Sequence, residues 1–136
     1  MQDWKEMIGK THTEEWTVTP GLLASGLKSG SVEVFATPYM IALMEQASME
    51  LVQPWLPEGV TTVGTLVNVT HVRPTLLGMT ARAVTTLTET DGRRFVFRVE
   101  AYDDAGLIGE GVHERCSVKR DKFMANAAAR RDAAIG

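Results

Sequence analysis

From Val34 to Leu51 the chain reads VFATPYMIALMEQASMEL, and this long apolar stretch of helical period constrains the fold more than any other feature. Thr37 followed by Pro38 marks its start: a Thr hydroxyl can accept an orphan amide proton, and Pro at the first helical position loses no needed donor. At about 100° per residue, Met40, Leu43, Met44, Ala47 and Leu51 form one apolar arc, with Ile41, Ser48 and Val52 at its margin. Gln46, Glu50 and Gln53 lie roughly opposite, and Pro54, Pro57 and Gly59 close the element. A helix of about six turns with one such face must lie against a second layer.

The rest of the chain supplies that layer. His12 to Thr19 alternates with Trp16 and Val18 on one side, and Pro20 and Gly21 end it. Pro20 to Glu33, with Gly21, Gly26 and Gly30, reads as a flexible loop. After Gly59 the period becomes two. In Val63 to Val72, Val63, Thr65, Val67, Val69 and His71 fall on one face and Gly64, Leu66, Asn68, Thr70 and Val72 on the other. Met79 to Glu89 places Met79, Ala81, Ala83 and Leu87 together, and Asp91-Gly92 makes a hairpin turn. Phe95, Phe97, Val99 and Ala101 share the next face. Leu107 to Val118 puts Ile108, Val112, Cys116 and Val118 opposite Gly109, Gly111, His113 and Arg115. The tail from Lys119 to Gly136 reads as a short terminal helix that frays. One strand, a helix and four strands joined by short turns predict an α+β two-layer domain of about five antiparallel strands, covering residues 1–136 as a single domain.

Composition narrows function mainly by exclusion. A chain of 136 residues with net charge −3 offers no overall attraction to nucleic acid or anionic membrane. The lone Cys116 rules out an intrachain disulfide framework and a cysteine-rich zinc site, and is read as strand filler in a reducing, cytoplasmic protein. No apolar run spans a membrane, and MQDWKEMIGK lacks a secretory apolar region. No Walker loop, dinucleotide G-x-G-x-x-G or G-x-S-x-G elbow occurs. His12, His71 and His113 have no spacing that suggests a metal, and no cofactor is expected.

Three polar residues stand out. Thr37 reads as a helix cap or as a reactive hydroxyl, His71 as a satisfied core imidazole or as a base, and Glu45 as a solvated edge residue or as a carboxylate beside the buried face, about 20° from Val52. Together a hydroxyl, an imidazole and a carboxylate can activate a nucleophile toward an acyl carbon, with helix N-terminal amides or the unobstructed Gly64 backbone receiving the oxyanion.

Several strings carry a further resemblance: VFAT followed by M and LME (Val34 to Glu45), GT before VTH (Gly64 to His71), DGRR at the hairpin, IGEGVHER (Ile108 to Arg115), and KF at Lys122 and Phe123. In their order and spacing they resemble the fluoroacetyl-CoA thioesterase-like group of the hotdog-fold acyl-CoA thioesterases. The resemblance covers about Val34 to Phe123 and implies a sheet wrapped around one central helix. It implies hydrolysis of an acyl-CoA to acid and coenzyme A in a cleft between two subunits, a homodimer with tetramers left open. Thr37, Glu45 and His71 would be the catalytic residues and Gly64 and Arg115 substrate contacts, with coenzyme A entering only as part of the substrate. The fluoroacetyl-specific pattern has a longer, phenylalanine-bearing segment upstream; here Gly21 to Glu33 contains no aromatic, Pro38 replaces a glycine and Tyr39 a phenylalanine. A short-chain or aryl acyl-CoA is therefore the expected substrate. The alternatives are a non-catalytic acyl- or pantetheine-binding module and, ranked third, a hotdog dehydratase or hydratase.

Overall fold

The structure is a computed structural model that describes residues 3–136. Strand β1 (Thr11–Thr17) is followed by a four-residue helix α1 (Ala24–Leu27), the main helix α2 (Thr37–Val52), strands β2 (Val60–His71), β3 (Thr80–Thr90), β4 (Arg94–Asp103) and β5 (Gly106–Lys119), and helix α3 (Arg120–Ile135). The five strands form one antiparallel sheet in the order β1-β3-β4-β5-β2. The two edges, β1 and β2, are therefore the first two strands in chain order.

Helix α2 has 16 residues, about four and a half turns and shorter than the expected six, because Pro54 tightens the chain into a 3-10 turn at Gln53–Trp55. Its buried face is Met40, Leu43, Met44, Ala47, Ser48, Leu51 and Val52, which includes the whole predicted arc. It covers Ala81, Ala83 and Leu87 of β3 and Phe95, Phe97, Val99 and Ala101 of β4, all fully buried. Ser48 is tolerated there because its hydroxyl donates to the Met44 carbonyl at 2.9 Å and accepts from Thr85 at 2.9 Å.

Three local expectations change. The supposed loop from Pro20 to Glu33 contains a 3-10 turn and α1, and it is fastened by the Leu23–Phe35 bridge and by Ala36 N donating to Leu22 O at 2.9 Å. The C-terminal tail is helical from Arg120 as far as Ile135. In β2, Thr65 is an extra residue: Gly64 pairs with Arg115 and Leu66 with the adjacent Glu114. This bulge reverses the alternation, so Thr62 and Gly64 share a face with Val67, Val69 and His71 rather than opposing them.

Strand β5 turns its glycine, histidine and arginine side toward α2. Built on Gly109, a Cβ would overlap the Thr70 carbonyl and stand 2.8 Å from Met40 Sδ. A second irregularity leaves Ile108 without a partner on β4, and Ile108 joins the core instead of the outer face with Val112 and Cys116. Since Met40 sits one turn beyond Thr37, Gly109→Ala should destabilise the fold by about 1–3 kcal/mol through overpacking. A lowered urea midpoint at unchanged slope would show it, and a wild-type midpoint would contradict the close contact.

Candidate active site

Thr37 is the first residue of α2, and its hydroxyl does not cap the helix. Ala36 occupies the cap position, and no side-chain cap bond forms. The Thr37 hydroxyl instead lies 2.7 Å from His71 Nδ1, at the last position of β2. The geometry suits a hydroxyl donating to an imidazole lone pair. His71 Nε2 is buried and makes no hydrogen bond within the described chain. Burial holds the imidazole below its ordinary value, with the nearby Arg73 backbone pulling weakly the other way. A neutral ring ready to accept a proton results.

The first turn of α2 offers fewer free amides than helix termini usually do. Pro38 has none, and Tyr39 N and Met40 N both donate to Ala36 O at 3.0 Å.

Glu45 lies elsewhere. Eight residues along α2 correspond to about 12 Å, so Glu45 does not meet the Thr37–His71 pair within one chain. Its Oε2 stands 3.9 Å from Arg115 Nη1, and its side chain is 39% exposed while that of Arg115 is 7% exposed. Gly64 completes this second group. A Cβ on it would lie 3.1 Å from Glu45 Oε2, 3.3 Å from His113 Cε1 and 3.6 Å from Arg115 Nη1. The bulge at Thr65 is what turns Gly64 to this face.

Arg115 is held on three sides. Its Nε donates to Thr62 Oγ1 at 2.8 Å, its Nη2 to Thr62 O at 2.9 Å, and its Nη1 faces His113 Nε2 at 3.2 Å. His113 Nδ1 lies 2.8 Å from the Leu66 carbonyl, so the proton belongs on Nδ1 and Nε2 accepts from the guanidinium. Burial first, and then the Arg115 charge, keeps His113 below its ordinary value. Burial likewise lowers Arg115, opposed by Glu45. His113 thus links the buried cation to the bulge. In the sequence this role is signalled only by the i, i+2 spacing of His113 from Arg115, on a strand face shared with Gly109 and Gly111.

The three histidines do not converge. His12 instead bridges Glu14 at 3.0 Å and Glu50 at 3.2 Å, on the opposite edge of the sheet.

Comparison with known proteins follows the same geometry. The family model described as fluoroacetyl-CoA-specific thioesterase matches residues 18–121. The fluoroacetyl-CoA thioesterase of Streptantibioticus cattleyicolor is 36% identical over 124 residues, 87% of this chain and 89% of that one. A solved structure of the fluoroacetyl-CoA thioesterase FlK superposes with a TM-score of 0.84 at 35% identity, covering 91% of this chain and 95% of that one. A Thermus thermophilus hypothetical protein of the thioesterase superfamily gives 0.85 at 33% identity, with 93% of each chain covered. A hot-dog-like protein from Thermanaerovibrio acidaminovorans, at 24% identity and a TM-score of 0.84 over 95% of this chain and 97% of that one, supports the fold alone.

The two desolvated imidazoles, His71 and His113, set a pH dependence. In the unfolded chain both regain an ordinary pKa near 6.5 and bind protons first as pH falls, so stability is fully present above that value and is lost below it. Urea midpoints measured from about pH 8 to about pH 5 should fall, and fall less in His113→Asn. A flat wild-type profile would contradict neutral, buried rings.

Proposed function

This chain belongs to the fluoroacetyl-CoA-specific thioesterase family and is a thioester hydrolase, and from that premise we propose that it cleaves a short-chain or aryl acyl-CoA using Thr37, His71 and Glu45 in clefts shared by two copies. The observation that carries the reading is the 2.7 Å contact between the Thr37 hydroxyl and His71 Nδ1. In this mechanism the Thr37 oxygen attacks the thioester carbonyl while its proton passes to His71. Collapse of the tetrahedral adduct breaks the C–S bond, and the coenzyme A thiolate takes that proton. Water then attacks the Thr37 ester, again giving its proton to His71, and free acid leaves as the proton returns to the Thr37 oxygen.

Glu45 reaches this chemistry only from another chain. One edge of the sheet is β2, and residues Gly64 to Asn68 at its middle are all exposed, including Leu66 at 43% and Val67 at 40%. An unpaired edge of this kind favours strand addition. If two β2 edges pair antiparallel about a two-fold axis through Asn68, Val69 falls opposite Val67 and, with Thr65 bulged out, His71 of one copy falls opposite Gly64 of the partner subunit. The Thr37–His71 pair would then face the carboxylate of Glu45 of the partner subunit, which would polarise the carbonyl or orient the water. Buried Arg115 would hold the Glu45 carboxylate turned toward Gly64.

The aromatic-free segment Gly21 to Glu33 gives no reason to restrict the acyl group to a fluorinated one. Thiol release measured across acetyl-, fluoroacetyl-, longer aliphatic, phenylacetyl- and benzoyl-CoA should find at least one substrate. His71→Ala and Thr37→Ala should each lower its turnover by about 10²–10⁴-fold; full activity in both variants would sink these roles. Shared clefts make a second prediction. Inactive His71→Ala and Glu45→Ala proteins, unfolded together and refolded as a mixture, should recover about a quarter of wild-type activity, since half the dimers carry one intact site. No recovery would place Glu45 and His71 in one chain's site.

A further inference from the structure

Two of the strings that resemble the thioesterase pattern, DGRR at the β3–β4 hairpin and KF in α3, take no part in the arrangement above. The fold brings them together. A cavity of about 630 Å³ lies between that hairpin, the start of α3 and the segment after α2, and its walls include Trp4, Arg93, Ser117, Lys119, Lys122 and Phe123.

The lining is unusual for this protein. The chain carries a net charge of −3, yet three cations and no carboxylate line the cavity. Arg93, Lys119 and Lys122 form no salt bridge among the described residues, whereas neighbouring Arg94 pairs with Glu114 at 2.8 Å and Arg98 with Glu110 at 2.7 Å. All three side chains are exposed, and the Phe123 ring is 42% exposed beside them. The Trp4 indole closes another wall, held edge-on to Phe95 with ring centres 5.1 Å apart and lying over Gly92, where any side chain would displace it. Unpaired cations recognise phosphate, and exposed ring faces recognise a planar base.

We propose that this cavity holds the phosphorylated nucleotide end of coenzyme A, with Arg93, Lys119 and Lys122 on its phosphates and Phe123 or Trp4 against the adenine. The proposal rests on the acyl-CoA reading, and its position agrees with it. Ser117 in the cavity wall is two residues from Arg115 and faces the same side of β5. Val60, also in the wall, precedes Gly64 by four residues of β2, a distance of about 13 Å that an extended pantetheine arm can span. The nucleotide would thus anchor on the chain that supplies Gly64, Arg115 and Glu45, and the thioester would project toward the Thr37–His71 pair of the other copy.

The test uses adenosine 3′,5′-bisphosphate, which has the phosphates and base but no thioester. Calorimetric titration should show binding to the wild-type protein that weakens with added salt and falls by about tenfold or more in Arg93→Ser/Lys122→Ser, while Lys122→Arg retains it. Wild type should also prefer an acyl-CoA to the S-acyl pantetheine of the same acid, and the double variant should lose most of that preference. Binding of the bisphosphate no tighter than that of inorganic phosphate, or unchanged in the double variant, would overturn the proposal, as would a preference for coenzyme A that survives the substitutions. If wild type released thiol from no thioester, the catalytic reading would fail, and the titration would still decide this one.

Discussion

The close seat of α2 on the sheet is the contact on which the rest of the molecule depends. The sheet is built small beneath the helix, with Ala81, Ala83, Ala101 and Gly109, and its bulk is placed around it in Leu87, Phe95 and Phe97. Met40 occupies the space that a side chain at Gly109 would take, and Gly109 pairs with His71. Packing of this density converts small changes in volume into backbone shifts. Thr37 and His71 belong to elements far apart in the chain, and a hydroxyl can sit 2.7 Å from an imidazole only because that seat is fixed.

Electrostatic design in the site follows from desolvation. A buried guanidinium with a carboxylate partner 3.9 Å away and partly exposed would be costly unless its other donors were met. Thr62 meets two of them and neutral His113 a third. The same histidine ties down Leu66, next to the residue that bulges. Charge, tautomer and backbone irregularity are thus one arrangement, in which removing any member exposes the others to an unsatisfied partner.

The two edges of the sheet are treated differently. Strand β1 is tied back to α2: His12 meets Glu50, and Trp16 donates to Gln46 at 3.1 Å. Strand β2 keeps an exposed run of apolar and polar residues, with Gly64 near its middle and His71 at its end. With Glu45 beside Gly64 and His71 at the end of the same open edge, carboxylate and imidazole stand apart within one chain, which is the physical reason for proposing a shared cleft.

The sequence alone determined the two-layer architecture, the apolar arc of α2 and the inward faces of β3 and β4, because each rests on a period that side-chain burial enforces locally. It also marked Thr37, Glu45, His71 and Gly64 as residues to explain, and Arg115 through the family resemblance. It did not show that Thr37 would forgo capping, since a cap and a hydrogen bond to a distant ring look identical in one dimension. Nor could alternation reveal the bulge at Thr65, because one extra residue reverses every later face without altering the pattern of residue types. The pairing of His113 with Arg115 and Leu66 was decided only by tertiary structure. It depends on where β5 and β2 meet under the helix, and that register is set by contacts between residues almost fifty positions apart.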